Sequence, residues 1–299
     1  MSMPGVYMLK FWIKLVRPKL WLASTATLLI GLNYAFYVEG NVIWPNFLLV
    51  FIALLIVGPL VSGGAVSINQ YYDFEIDRKS SHPERFALVV GNIRKQNALI
   101  LGLFLLLTAI SLSLYINLFA FLLTLIGIII SVIYSAPPIR LKTKPFIDSL
   151  INGIAYGILP TLMGWCLLRT FSIDPLIISI PSFLGLTSSH MLLAIPDERI
   201  DRSFQIKTTA VFLGSKQTIV VASILLVSMF SLIGLYIVIK VLPILTILVF
   251  PIGFFILREY LRLYKEGISA IRSVFVRIAY LFILMSSVYG IMIFASIII

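Results

Sequence analysis

The chain has 299 residues, 60% of them hydrophobic and only 12% charged, with a mean hydropathy of +1.08. A water-soluble domain carries about 25% charged residues, so this balance excludes one and points to a polytopic membrane protein. The net charge of +11 does not indicate a nucleic-acid partner, because the cations fall in loops between apolar stretches, as membrane topology requires.

Taking about 20 apolar residues as one crossing, the chain reads as all-α with nine spans. They lie near 20–38, 47–72, 97–115, 118–136, 147–168, 175–196, 217–237, 239–257 and 277–298. The first residues lead through Lys10, Lys14, Arg17 and Lys19 into the first span without a small-residue cleavage pattern, so no removable secretory signal is expected. Sorting Lys and Arg by alternating sides puts 21 on the face that holds the N-terminus and only Arg169 and Lys240 on the other. The basic face is cytoplasmic by the positive-inside rule, and nine crossings leave the C-terminus outside. The lone Cys166 lies in an apolar run and is expected to be a small buried hydrophobe.

Several small or kinking residues have positional meaning. Gly63 and Gly64 in the second span, and Gly153, Gly157 and Gly164 in the fifth, permit close helix approach. Pro160 and Pro181 are expected to bend their spans. Spans one to four and five to eight each carry an acidic cluster at the end of their second member, which suggests duplicated four-helix units within a single domain covering 1–299.

The first cluster is Asn69, Asp73 and Asp77, spaced four apart so that a helix aligns all three on one face. Stacked carboxylates repel, and burying them without partners is costly. A hard cation removes both problems, because magnesium takes oxygen ligands and bridges carboxylates to substrate phosphates. The spacing returns at Asp197 and Asp201, again ending a span on the cytoplasmic side. Two such sites predict two metal-bearing walls facing one anionic group. Glu75 and Glu198 fall off the stacked faces and are expected to be solvated or ion-paired. The segment 134–142 ends the fourth span with Pro137 and Pro138, which are expected to stop the helix and hold the next residues extended, projecting Arg140 and Lys142 to one side. His190 falls on the helical face of Asp197, either lining a cavity or hydrogen-bonded in packing, and His82 belongs to a loop.

Taken in order, the Asn69-x-x-x-Asp73-x-x-x-Asp77 pattern, the Tyr134-Ser-x-Pro-Pro-x-Arg-x-Lys142 segment and the Asp197-x-x-x-Asp201 pair resemble the UbiA superfamily of intramembrane prenyltransferases. Arg17-Pro18 and the Lys207-Thr208-Thr209 stretch are weaker matches. The resemblance spans nearly the whole chain and implies a ring of nine helices around a central cavity, with Mg2+ and a prenyl diphosphate donor. It implies that Asn69, Asp73, Asp77, Asp197 and Asp201 hold the metal, with Asp73, Asp197, Tyr134 and Lys142 catalytic. Asn69, Tyr134, Arg140, Lys142, Arg78, Arg85, Lys207 and Arg17 form the substrate-binding set. Gln70 departs from the aspartate that many members carry, and the usual Arg-Pro of the next loop is matched only loosely by Arg85-Phe86.

The expected activity is Mg2+-dependent transfer of a prenyl group to a lipophilic acceptor in the membrane. A quinone-type aromatic ring is the first choice of acceptor, a prenylated glycerol phosphate of ether-lipid synthesis the second, and a porphyrin the third. The rival class is an ion-coupled transporter, but transporters place such charges near the bilayer midplane, whereas these gather at one surface. A tail kept in hydrocarbon further predicts a sideways opening of the cavity to lipid, because exposing each CH₂ to water costs about 0.8 kcal/mol.

Overall fold

Hydrocarbon offers no water to backbone groups, so every apolar stretch must satisfy its own amides as helix. The computed structural model describes residues 11–40, 46–79, 86–91, 94–170, 172–267 and 271–298, and among them there is no strand. The long helices are α1 (Pro18–Glu39), α2 (Phe47–Arg78), α3 (Lys95–Ile116) and α4 (Leu118–Ser135), then α5 (147–165) and α6 (Asp174–Leu193). They are followed by α7 (Ser215–Val238), α8 (Ile244–Glu266) and α9 (Ile271–Ile298). Eight are long and apolar enough to cross a membrane among the described residues; α5 is the one outside that set.

Where boundaries differ from the sequence reading, the cause is local. α2 runs on to Arg78 because the acidic motif continues the helix instead of ending it. α8 starts later and extends to Glu266, beyond the apolar run. Its second half is amphipathic: Ile256, Tyr260 and Leu263 are buried while Leu261 and Tyr264 face outward. Lys240, at φ 61°, makes the turn that precedes it.

The prolines act unequally. Pro160 directly follows a π-helical turn at Ile154–Ile158, which makes α5 irregular as expected. Pro181 leaves α6 helical throughout Asp174–Leu193. Pro59, to which the sequence alone assigns no role, lies in a second π-helical stretch, Ile56–Ser62 of α2.

Two cores meet along α1 and α5. Ile30 and Tyr34 of α1, with Trp165 of α5, join the core built by α6–α9. Leu28, Leu32 and Phe36 of α1, with Leu162 and Met163 of α5, join the core built by α2–α4. The two helices can serve both cores only because their backbones touch. A Cβ on Gly31 would lie 1.9 Å from Thr161 O, and one on Gly164 would lie 2.0 Å from Leu28 O. Gly153 and Gly157 similarly seat α5 against Phe183 of α6, and Gly64 meets Gly102 of α3, as the small residues predict. Perimeter side chains such as Ile100, Phe104 and Leu107 of α3 are exposed and apolar, as a lipid-facing surface demands. At the end of the bundle away from the acidic motifs, Arg169 pairs with Glu39 and lies 5.4 Å from the Trp165 ring, tying α1 to α5.

This seam predicts a sharp contrast. Gly164→Val should destabilise the protein by at least about 1–3 kcal/mol, the usual range for overpacking, seen as a lowered melting temperature in detergent. Gly234→Ala, whose Cβ would meet only Phe250 Cζ at 3.6 Å, should melt close to the parent.

Candidate active site

The acidic stretch of α2 does align its side chains on one face. Asn69 Oδ1 accepts from Ser135 Oγ at 3.0 Å and from Lys142 Nζ at 2.7 Å. One turn on, Asp73 accepts from Arg140 Nη2 at 2.8 Å through Oδ1 and forms an ion pair with Lys142 Nζ through Oδ2. Asp77, another turn along α2, is 8% exposed. It lies within the electrostatic reach of Asp73, Arg17 and Lys142, and of Asp197 on the other wall. Asp201 in turn feels Asp197, Asp73 and Lys142. The two acidic walls therefore face each other across one mouth.

The second wall is not the uniform helix that its spacing suggests. α6 ends at Leu193, a 3-10 turn over Ile195–Asp197 contains Pro196, and a short helix, Glu198–Ser203, carries Asp201. Pro196 cannot donate to a helix ladder, which explains the break. Thr208 Oγ1 holds Asp201 Oδ2 at 3.3 Å, and Ile206 N donates to Asp201 O at 2.9 Å. Glu198 pairs with Arg202 and accepts from Ser215 Oγ, and Glu75 pairs with Arg78, so both off-face acids are ion-paired as expected.

The Pro137-Pro138 segment corrects a detail. The chain beyond the prolines is not extended: residues 137–139 turn, Arg140 N donates to Ala136 O, and Leu141–Thr143 form a 3-10 turn. Arg140 itself is left-handed, with φ 45° and ψ 61°, and Arg17 adopts nearly the same conformation, φ 46° and ψ 67°, before Pro18–Leu20. Such a conformation costs a residue with a Cβ about 1–2 kcal/mol. Two arginines at one mouth carry that strain, the kind of outlier that gathers at functional sites. Burial pushes the Lys142 ammonium below its ordinary range, and the Asp73 carboxylate beside it pulls the other way.

Inside the mouth lies a cavity of about 580 Å³. Arg17, Asn69, Tyr134, Ser135, Asn152 and His190 line its polar end, and most of the wall beyond is apolar. Asp73, Asp77, Lys142, Asp197 and Asp201 do not line it, and of the acidic motifs only Asn69 does. Leu22 of α1 and Leu193 of α6 line the cavity and are also 46% and 49% exposed, so it is open to the outside at their level. Farther out, Asn33 Nδ2 donates to Gly290 O at 3.0 Å and closes α1 against α9.

Not every assigned residue joins the mouth. Arg78 is exposed, paired with Glu75 and set over the Phe74 ring. Lys207 is exposed. Arg85 and His82 lie outside the described residues. His190 meets both expectations, lining the cavity while its Nδ1 lies 3.2 Å from Ser149 Oγ. Gln70 is buried and donates to Leu15 O at 2.7 Å, a packing role that takes it away from the acidic face.

Sequence reasoning missed Asp148, which is 1% exposed at the start of α5. Its oxygens accept from Thr209 N, Thr209 Oγ1 and Ser149 N, while Thr209 Oγ1 also accepts from Phe146 N. Asn152 links Asp148 O to the Tyr134 hydroxyl at 2.7 and 3.1 Å. In the 207–209 stretch it is thus the threonines, not the lysine, that reach the site: Thr208 holds Asp201 and Thr209 is latched to Asp148. The available signal was a carboxylate inside an otherwise apolar span, which is functional or paired by default.

An all-helical membrane bundle with two facing acidic walls, buried cations and an apolar chamber behind them defines an intramembrane enzyme for amphiphiles with polyanionic heads. Residues 24–288 match the UbiA prenyltransferase family, and the chain belongs to that family. It is therefore a prenyltransferase. It is 31% identical to the lycopene elongase/hydratase of Haloarcula japonica over 72% of this chain and 71% of that one. It is 27% identical to the protein of the same description from Halobacterium salinarum, over 71% and 74%. Its fold is similar to a UbiA homolog from Archaeoglobus fulgidus bound to DMAPP and Mg2+, with a TM-score of 0.68 and 22% identity over 95% of this chain and 99% of that one.

The latch can be tested apart from chemistry. Asp148→Ala leaves the Thr209 donors without their buried acceptor, a loss of about 1–3 kcal/mol or more. Thermal melting should fall, and proteolysis between α6 and α7 should quicken. Unchanged melting would mean that the 206–213 turn holds itself.

Proposed function

We propose that the protein transfers a prenyl group from a prenyl diphosphate, with Mg2+, to a long apolar polyene held in the membrane. The observation that carries the transfer reading is the mouth itself, where two acidic walls and a Lys–Arg pair stand directly over an apolar chamber. Head and tail of a prenyl diphosphate match those two environments.

The donor set fits magnesium. Asn69, Asp73, Asp77, Asp197 and Asp201 offer only oxygen ligands. Magnesium takes one or two carboxylates and fills its remaining positions with phosphate oxygens and water. When bound, it neutralises charge on the departing diphosphate.

The chain's own residues do the rest. Arg140 and Lys142 exchange Asp73 for the incoming phosphates, keeping their charge in a site with little water. As the allylic C–O bond breaks, its electron pair goes to the diphosphate, and these cations stabilise the developing charge. Tyr134, oriented by Asn152, stands at the chamber's polar end near the departing group. A π pair of the acceptor then forms the new C–C bond, and the cationic adduct gives up a proton to the departed diphosphate. The mainly apolar wall of the chamber limits water around the reacting carbon and hence hydrolysis.

Two observations favour a polyene over the aromatic ring expected from sequence. The chamber wall beyond the mouth is mainly apolar, and a hydrocarbon needs no hydrogen-bond partner there. The haloarchaeal relatives are lycopene elongase/hydratases. We further read the basic face as cytoplasmic, the C-terminus as external and the chain as one domain.

Purified protein should transfer label from prenyl diphosphates to lycopene in Mg2+ and lose this with chelator. Asp73→Ala and Asp197→Ala should each abolish transfer while melting normally, and full turnover by either would sink the two-wall reading. Product only from 4-hydroxybenzoate or from geranylgeranylglyceryl phosphate would replace the polyene with those acceptors. Lys142→Ala should weaken donor binding by about tenfold or more, the loss of a charge-assisted contact worth about 1.5–3 kcal/mol. Lys95→Ala, on the cytoplasmic end of α3 over the Tyr71 ring, should change it little.

A further inference from the structure

A second recess lies outside the chamber, on the bundle surface between α7 and α8. It holds about 390 Å³, walled by Val220, Ser223, Ile224 and Val227 of α7 and by Leu261 and Tyr264 of α8. None of these residues lines the central chamber, which α7 walls through Met229 and Ile233 instead. Ser223 is short enough to leave room beside α8. Its Oγ donates to Ile219 O at 2.8 Å, so it needs no polar partner from an occupant.

The recess sits at the same end of the bundle as the acidic mouth. Ser215 Oγ, at the start of α7, donates to Glu198 Oε2 at 2.6 Å, next in sequence to Asp197 of the second wall. A short connection reverses the chain between α7 and α8, so the last turns of α8 return to that end. Lys216 to Ser228 spans about 18 Å of helix, close to the hydrocarbon depth of one leaflet, about 15 Å.

Charge decides what kind of lipid suits such a recess. On α8, Phe254, Arg258, Leu261 and Lys265 recur three and four apart and are all exposed, which makes them one outward stripe. On α7, Lys216 stands four residues before Val220 and eight before Ile224, on the stripe that walls the recess. Among the described residues no carboxylate pairs with Lys216, Arg258 or Lys265. Glu259 is taken by Arg277 at 3.2 Å and Glu266 by Arg262 at 2.8 Å. A cation on a lipid-facing stripe, beside rings as exposed as Phe254 and Phe255, is costly without a counter-charge.

We propose that this recess binds an anionic phosphodiester lipid of the bilayer. Lys216, Arg258 and Lys265 hold the phosphate, their long side chains reaching toward the membrane surface. One hydrocarbon chain lies along Val220, Ile224 and Val227. Tyr264 stands at the head end, where an amphipathic ring suits the interface. A prenyl diphosphate fits less well, because no wall residue is acidic and able to carry magnesium.

Lipid binding by the full-length protein in detergent tests the site. Phosphatidylglycerol and phosphatidylcholine with identical chains, each bearing a photoreactive group in one chain, are titrated and counted by native mass spectrometry. The parent should bind phosphatidylglycerol about tenfold or more tighter, from the attraction of three cations, and the label should fall within 219–228. Lys216→Gln, Arg258→Gln and Lys265→Gln together should erase this preference. Lys95→Gln, the same charge change on α3, should leave it intact. Ile224→Trp fills the recess while keeping its cations, and should weaken both lipids and remove the label from α7. Equal binding of the two lipids by the parent, a preference that survives the triple substitution, loss of preference in Lys95→Gln, or a label unmoved by Ile224→Trp would each overturn the site. Displacement of the label by geranylgeranyl diphosphate with Mg2+ would also overturn the lipid assignment, the recess then taking substrate.

Discussion

The contact on which the rest of the molecule depends is the glycine seam between α1 and α5. Any side chain at Gly31 or Gly164 would drive two backbones apart by a large part of a helix radius. Because the backbones touch, neighbouring residues on α1 can be shared out, Ile30 and Tyr34 to one core and Leu28 and Leu32 to the other. In lipid there is little hydrophobic gain in bringing helices together, so close van der Waals packing of this kind carries the association. The packing of both cores is thus a consequence of one pair of small residues.

At the acidic mouth the governing problem is charge. Four aspartates cannot share a partly buried mouth without compensation, and the chain compensates with Arg140, Lys142 and the nearby field of Arg17. The left-handed backbones of Arg17 and Arg140 show that this compensation carries strain, held by the flanking 3-10 turns. Asp148 addresses a related problem by accepting the donors of the 206–213 turn, and Thr208 in that turn steadies Asp201. A carboxylate of α5 therefore supports the second acidic wall, although it belongs to neither acidic motif.

Much of this was legible in the residues. Apolar length alone determined nine helical stretches, since hydrocarbon forbids unsatisfied amides, and the spacing of Asn69, Asp73 and Asp77 determined a common face. Prolines were less readable. Pro160 and Pro59 sit in or beside π-helical turns, whereas Pro181 does not, because neighbouring packing decides how a freed carbonyl is satisfied. The break at Pro196 and the turn after Pro138 were hidden for the same reason: spacing describes a regular helix, and these segments are not regular.

What the sequence by itself determined, then, was chemistry and periodicity: oxygen ligands at helical spacing, cations after the fourth span, and a chain too apolar for water. The tertiary structure alone decided which of those groups meet. It put Arg140 and Lys142 on Asp73, left Arg78 and Lys207 at the surface, and buried Asp148 under Thr209. Spacing along a helix orders only neighbours three or four residues apart. Contacts between Asp73 and Lys142, or Gly31 and Thr161, depend on how separate helices approach, and that is set by packing across the whole bundle.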